Sequence, residues 1–76
     1  MPQFKPIKRK KFEKFLVYIG CELKRTKGDH FIYTKPGLRR PIVITNNKDV
    51  PPFHIRTNLK TLNMTVKEFE EIMSRI

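Results

Sequence analysis

The sequence predicts a small α+β domain in the order α-β-β-β-α-α, a three-stranded antiparallel sheet with its helices on one face. Three observations carry that expectation. Seventy-six residues allow a single domain, spanning 1–76, with a marginal core and no deep cavity. Apolar residues recur at helical spacing near the start of the chain and twice near its end. Between those segments lie three short extended runs separated by glycine-containing turns.

The first helix rests on Phe12, Phe15, Leu16 and Ile19, which stand at i, i+3, i+4 and i+7 and share one face. Lys8, Arg9, Lys10, Lys11 and Lys14 surround the other side. The helix has no Ser or Thr cap and is placed from Ile7 or Lys8, just after Pro6. Gly20 ends it, since glycine takes the left-handed conformation without steric cost. Cys21–Thr26 then alternates, with Cys21 and Leu23 on one face and Glu22 and Lys24 on the other. Lys27-Gly28-Asp29 is a tight turn, and His30–Thr34 is aromatic and β-branched. Pro36-Gly37 turns the chain again into Arg40–Thr45, which contains Ile42-Val43-Ile44.

Asn46–Val50 reads as a polar connection to Pro51-Pro52, a pair acceptable only in a helix's first turn. Ile55, Leu59 and Leu62 set the second helix, and Asn63 supplies its left-handed cap. The third helix has the clearest start. Thr65 and Glu68 form a capping box, while Met64 and Phe69 occupy the two hydrophobic-staple positions. Phe69, Ile72, Met73 and Ile76 continue its apolar face.

Charge narrows the function. The chain carries 17 Lys and Arg against 7 Asp and Glu, a net charge of +10. Residues 1–60 hold 15 of those basic side chains and only Glu13, Glu22, Asp29 and Asp49. Such an excess in one continuous stretch points to a polyanionic partner, nucleic acid first. A membrane partner is not expected, because no Lys/Arg-rich helix also shows a large exposed apolar face and no apolar run approaches a membrane span. The Pro- and Lys-rich segment Met1–Lys11 lacks the apolar centre of a signal peptide. The single Cys21 excludes an internal disulfide framework, fits the cytoplasm and reads as a small core residue.

Few side chains are suited to catalysis. His30 follows a glycine turn and opens a strand beside Lys24, Arg25, Lys27 and Lys35. There an imidazole can move a proton while cations hold a phosphodiester, although a histidine at a turn is ordinarily just a surface group. His54, in the first turn of the second helix, reads as such a solvated group. Cys21, His30 and His54 show no metal-ligand spacing, so no metal or other cofactor is expected. No Gly-rich phosphate loop is present. Phe31 and Tyr33 share a strand face and fit stacking on bases, but the sheet needs an apolar face for its helices and these are its largest candidates. Lys8–Lys11 fits a solvated helix face; charge from Lys24, Arg25, Arg39 and Arg40 on the hairpins favours phosphate contact instead.

Ile19-Gly20-Cys21, Arg25-Thr26-Lys27-Gly28-Asp29-His30 and Asn58-Leu59-Lys60-Thr61-Leu62-Asn63-Met64-Thr65, followed by Glu68-Phe69, together resemble the HicA family of toxin–antitoxin toxins. These are small bacterial and archaeal mRNA interferases with a fold similar to the double-stranded-RNA-binding domain. The resemblance covers nearly the whole chain. It implies a metal-independent endoribonuclease acting on mRNA, with His30 as the catalytic acid or base. It also implies an antitoxin, expected here to be an acidic, HicB-like protein. Lys8, Arg9, Lys11, Lys24, Arg25, Lys27, Arg39 and Arg40 are the candidate RNA ligands, with Arg25 and Lys27 nearest His30. Two features depart from the family pattern. Asp29 stands where serine is commoner, and Thr45-Asn46-Asn47 replaces a frequent Pro-x-His. The alternatives are a non-catalytic RNA-binding module of the same fold and, less well supported, a DNA-binding accessory protein, since no helix-turn-helix spacing is present.

Overall fold

The first helix begins at Arg9, because the two residues before it have another partner. In the computed structural model, which describes residues 5–76, Ile7–Lys8 forms strand β1 and pairs antiparallel with β5, Asp49–Val50. The Arg9 N–H donates to the Lys48 carbonyl at 3.0 Å, holding the helix start to the same connection. Two expectations are thereby corrected. The helix starts one or two residues late, and the supposed polar connection 46–50 ends in a strand whose Val50 is buried. The part of the signal-peptide reading that concerns Met1–Phe4 lies outside the described residues.

Helix α1 (Arg9–Tyr18) buries Phe12, Phe15 and Leu16, the face its spacing predicts. Gly20, at φ +98°, closes it. The Gly20 N–H donates to the Val17 carbonyl and the Cys21 N–H to the Leu16 carbonyl, the paired bonds of a Schellman cap. Cys21 drops into the core, and burial pushes its thiol pKa up.

Strands β2 (Glu22–Lys27), β3 (His30–Thr34) and β4 (Ile42–Thr45) form an antiparallel sheet in that order. Gly28, at φ +60°, sits where a two-residue hairpin loop needs glycine. Directly paired residues share a face, so the register sorts the sheet. Phe31 pairs with Ile44 and Tyr33 with Ile42, giving an inner face; His30 pairs with Thr45 and Ile32 with Val43, giving an outer one. The inner face meets the helices, as expected. Tyr33, Ile42 and Ile44 are buried with Phe12, Phe15 and Leu16, whereas Phe31 is half-buried under the Arg9 guanidinium, 5.1 Å from its ring.

Strand β2 differs from expectation. The pairing shifts between Leu23 and Arg25, a bulge that breaks the alternation read from the sequence. All six of its residues are exposed, Leu23 included. It is an edge strand, and its Lys-rich composition suits an edge exposed to water.

Helices α2 (Pro52–Leu62) and α3 (Val66–Met73) complete the inner layer. Pro52 is the first residue of α2, and Asn63 takes the left-handed cap at φ 55°. Ile55 and Leu59 enter the core, together with Asn58, a buried polar residue on the same helix face. In α3 both halves of the Thr65–Glu68 capping box are present. The backbone N–H and hydroxyl of Thr65 lower the Glu68 pKa by bonding its charged form. Phe69 stands edge-on to Phe15, with ring centroids 4.7 Å apart, and seals the core.

Candidate active site

The outer face of the sheet carries the chain's best-placed chemistry. His30 opens β3 directly opposite Lys27 on one side and Thr45 on the other. Its side chain is 49% exposed, and its Nδ1 lies 3.0 Å from the Asp29 carboxylate. Adjacent strand residues would point apart, but Asp29 still belongs to the turn, so its side chain can swing back to the ring. That contact orients the imidazole and leaves Nε2 for an incoming group.

The turn is braced from behind. The Asn46 N–H donates to the Asp29 carbonyl at 2.7 Å, and the Arg9 guanidinium donates to the Asn46 side-chain oxygen. Arg9 also pairs with Glu13 at 3.7 Å, and the Tyr33 hydroxyl donates to Glu13 at 2.8 Å. Burial first, then this hydrogen bond and the Glu13 charge, push the Tyr33 pKa up to about 12. A network of inner-face side chains therefore reaches the loops that hold His30.

The structure sorts the basic candidates into groups. Lys27 is the cross-strand neighbour of His30, and Arg25 lies opposite Ile32 on the same outer face. The bulge brings Lys24 and Arg25 to one depression of about 270 Å³, which Arg39 and Arg40 close from the β3–β4 loop. Two pairs of cations distant in sequence thus gather over Ile32 and Thr34. Lys8 and Lys11 are exposed on β1 and α1, apart from that depression. Arg9 is engaged internally by Glu13, Asn46 and the Phe31 ring.

A groove of about 310 Å³ opens beside His30, between the outer face and α2. His30, Val43 and Thr45 form its sheet wall, and Phe53, His54, Thr57 and Asn58 form its helix wall. His54 was expected to be a solvated surface group. It is half-buried instead and shares a groove with His30. Phe53 and Asn58 carried no functional expectation either. Their signals were a large aromatic off the Ile55–Leu59–Leu62 stripe and an asparagine on a buried helix face. Among the described residues no three His, Cys, Asp or Glu side chains gather as a metal-binding group. No helix among them is long and apolar enough to cross a membrane.

Comparison with known proteins agrees with the motif reading. No curated protein and no solved structure matches the chain. The family model described as HicA toxin of bacterial toxin–antitoxin matches residues 9–64, from the first residue of α1 to the connection between α2 and α3. That span contains His30, the gathered cations and the groove. The chain belongs to the HicA toxin family, and as such is the toxin of a toxin–antitoxin pair.

Proposed function

We propose that this toxin is an mRNA-cleaving endoribonuclease whose proton transfer rests on His30. One observation carries the reading: a half-exposed imidazole, held at Nδ1 by Asp29, stands beside Lys27 on an open face that also gathers Lys24, Arg25, Arg39 and Arg40. The cations suit the phosphates of a single strand. Nε2 of His30 takes the proton of a ribose 2′-OH, and that oxygen attacks the adjacent phosphorus. The bond from phosphorus to the 5′-oxygen breaks, leaving a 2′,3′-cyclic phosphate on one fragment. The departing 5′-oxygen takes up a proton from water and becomes a 5′-hydroxyl, and the His30 imidazolium returns its proton to the solvent. The RNA supplies its own nucleophile, so the step needs no metal. Typical gains from such positioned proton transfer are about 10²–10⁴-fold.

The same face suits an acidic, HicB-like antitoxin, which would cover the cations and His30 together. Electrostatic complementarity would speed that association and make it salt-sensitive. The cytoplasm, where mRNA is found, is the proposed site of action.

One observation favours a second reading, a non-catalytic RNA-binding module. Thr45, directly opposite His30, opens the Thr45-Asn46-Asn47 stretch that replaces the family's frequent Pro-x-His. Incubating the purified chain with a defined transcript in EDTA separates the two. Cleavage to fragments with cyclic-phosphate and 5′-hydroxyl ends is expected. Binding without cleavage would make the chain an RNA-binding module.

A further inference from the structure

We propose that the groove between β4 and α2 is a nucleobase subsite, in which Phe53 stacks on an unpaired base and the Asn58 amide bonds that base's edge. The proposal rests on the reading of the outer face as an RNA surface and goes beyond it, assigning the part of the site that recognises a base.

Three independent observations converge on this groove. Phe53 is 74% exposed, the highest value among the exposed large apolar side chains of the described residues, and it stands on the rim. Phe31 and Tyr33, the aromatics weighed for stacking and read instead as core, offer no platform, since Tyr33 is buried on the inner face and Phe31 lies beneath Arg9. Asn58 is only 6% exposed and lines the groove, and its Nδ2 is buried without a hydrogen-bond partner, so the amide meets a ligand by turning about its last side-chain bond. Buried amides are nearly always satisfied, so an orphaned one beside an open groove points to a ligand with polar edges. The volume lies at the small end of ligand sites, room for one planar ring system and not for a folded strand.

These features together select a base. A flat π-face meets the exposed ring, and a hydrogen-bonding edge meets the amide. In a duplex that edge is already paired and both faces are stacked, so only an unpaired nucleotide can enter. Because His30 forms part of the opposite wall, the base seated here belongs to a nucleotide flanking the phosphate at His30. The groove therefore contributes to the choice of cleavage position.

The test uses the full chain carrying His30→Ala, to prevent turnover, together with Phe53→Trp. The sequence contains no tryptophan, so the indole fluorescence reports that position alone. Titration with a single-stranded oligoribonucleotide should quench it, whereas heparin, a polyanion without bases, should bind without quenching. Equal quenching by both, or none by RNA, overturns the proposal. In the His30→Ala chain, Phe53→Ala should weaken RNA binding by roughly 5- to 150-fold and leave heparin binding unchanged. Asn58→Leu removes the amide at similar volume and should flatten the ranking of four homopolymer strands; an unchanged ranking overturns the role of the amide. None of these readouts requires cleavage. Quenching by RNA when the parent fails to cleave keeps the subsite and removes the enzyme. A cleaving parent without quenching removes the subsite alone.

Discussion

The inner face of the sheet buries Tyr33, Ile42 and Ile44 against Phe12, Phe15 and Phe69, while the outer face leaves His30 and Val43 exposed and the edge strand β2 is exposed along its whole length. The two faces come from the same strands, separated only by the alternation of side chains. In so small a domain nearly all stabilising burial must lie on the inner side. The outer side is then free to carry charge that a core would not tolerate. What links them is Arg9, which reaches from the Glu13–Tyr33 contact to Asn46 and thereby to the turn beside His30. Stability and activity should therefore respond to different substitutions.

The largest effect on the inner side is expected at Phe69. Phe69→Ala removes a buried ring that contacts Phe15 and should cost about 3–5 kcal/mol. Out of a typical stability of about 5–15 kcal/mol, that loss is severe. Chemical denaturation measures it, and a loss below about 1 kcal/mol would show α3 to be an appendage.

On the outer side, replacing Arg39 and Arg40 by alanine should leave stability within about 0.5 kcal/mol. RNA affinity should fall with a shallower salt dependence, the log–log slope shrinking by about 1.4 for two lost phosphate contacts on a single strand. An unchanged slope would place the phosphates elsewhere.

The smallest effect sharpens the link between the faces. Tyr33 has its pKa raised in the folded chain from 10.0 to about 12. Its contribution is therefore fully present below pH 10 and is lost as pH rises from there toward 12, because the unfolded chain ionises first. Stability measured across that range should decline, and Tyr33→Phe should remove this part of the decline. An identical decline in the variant would assign it to other groups.

Much of this division was legible in the sequence, for a physical reason. A buried helix face writes a period into the chain, so Phe12, Phe15, Leu16, Ile55, Leu59 and Phe69 could be placed before any coordinates. Caps are equally local, and Gly20, Asn63 and the Thr65–Glu68 box lie where they were expected. The pairing of Ile7–Lys8 with Asp49–Val50 was not legible, because two-residue strands have no period and their partners lie far apart in sequence. Nor was the bulge that brings Lys24 and Arg25 to one side. The groove was hidden for the same reason. Its walls come from β3, β4 and α2, and only the packing of α2 beside β4 turns Phe53, His54 and Asn58 toward His30. His30 itself could be singled out, since a glycine turn followed by histidine among cations is a local pattern. Its contact with Asp29 depended on where the turn ends.

The central claim is that the outer face works through His30 while the inner face holds the fold. It is tested most directly by single-turnover cleavage of one transcript, with the unfolding midpoint of the same samples recorded alongside. His30→Ala should lose about 10²–10⁴-fold in rate and keep the parent's midpoint, because the side chain is half-exposed and contributes nothing to the core. A His30→Ala chain that cleaves as fast as the parent would contradict the account.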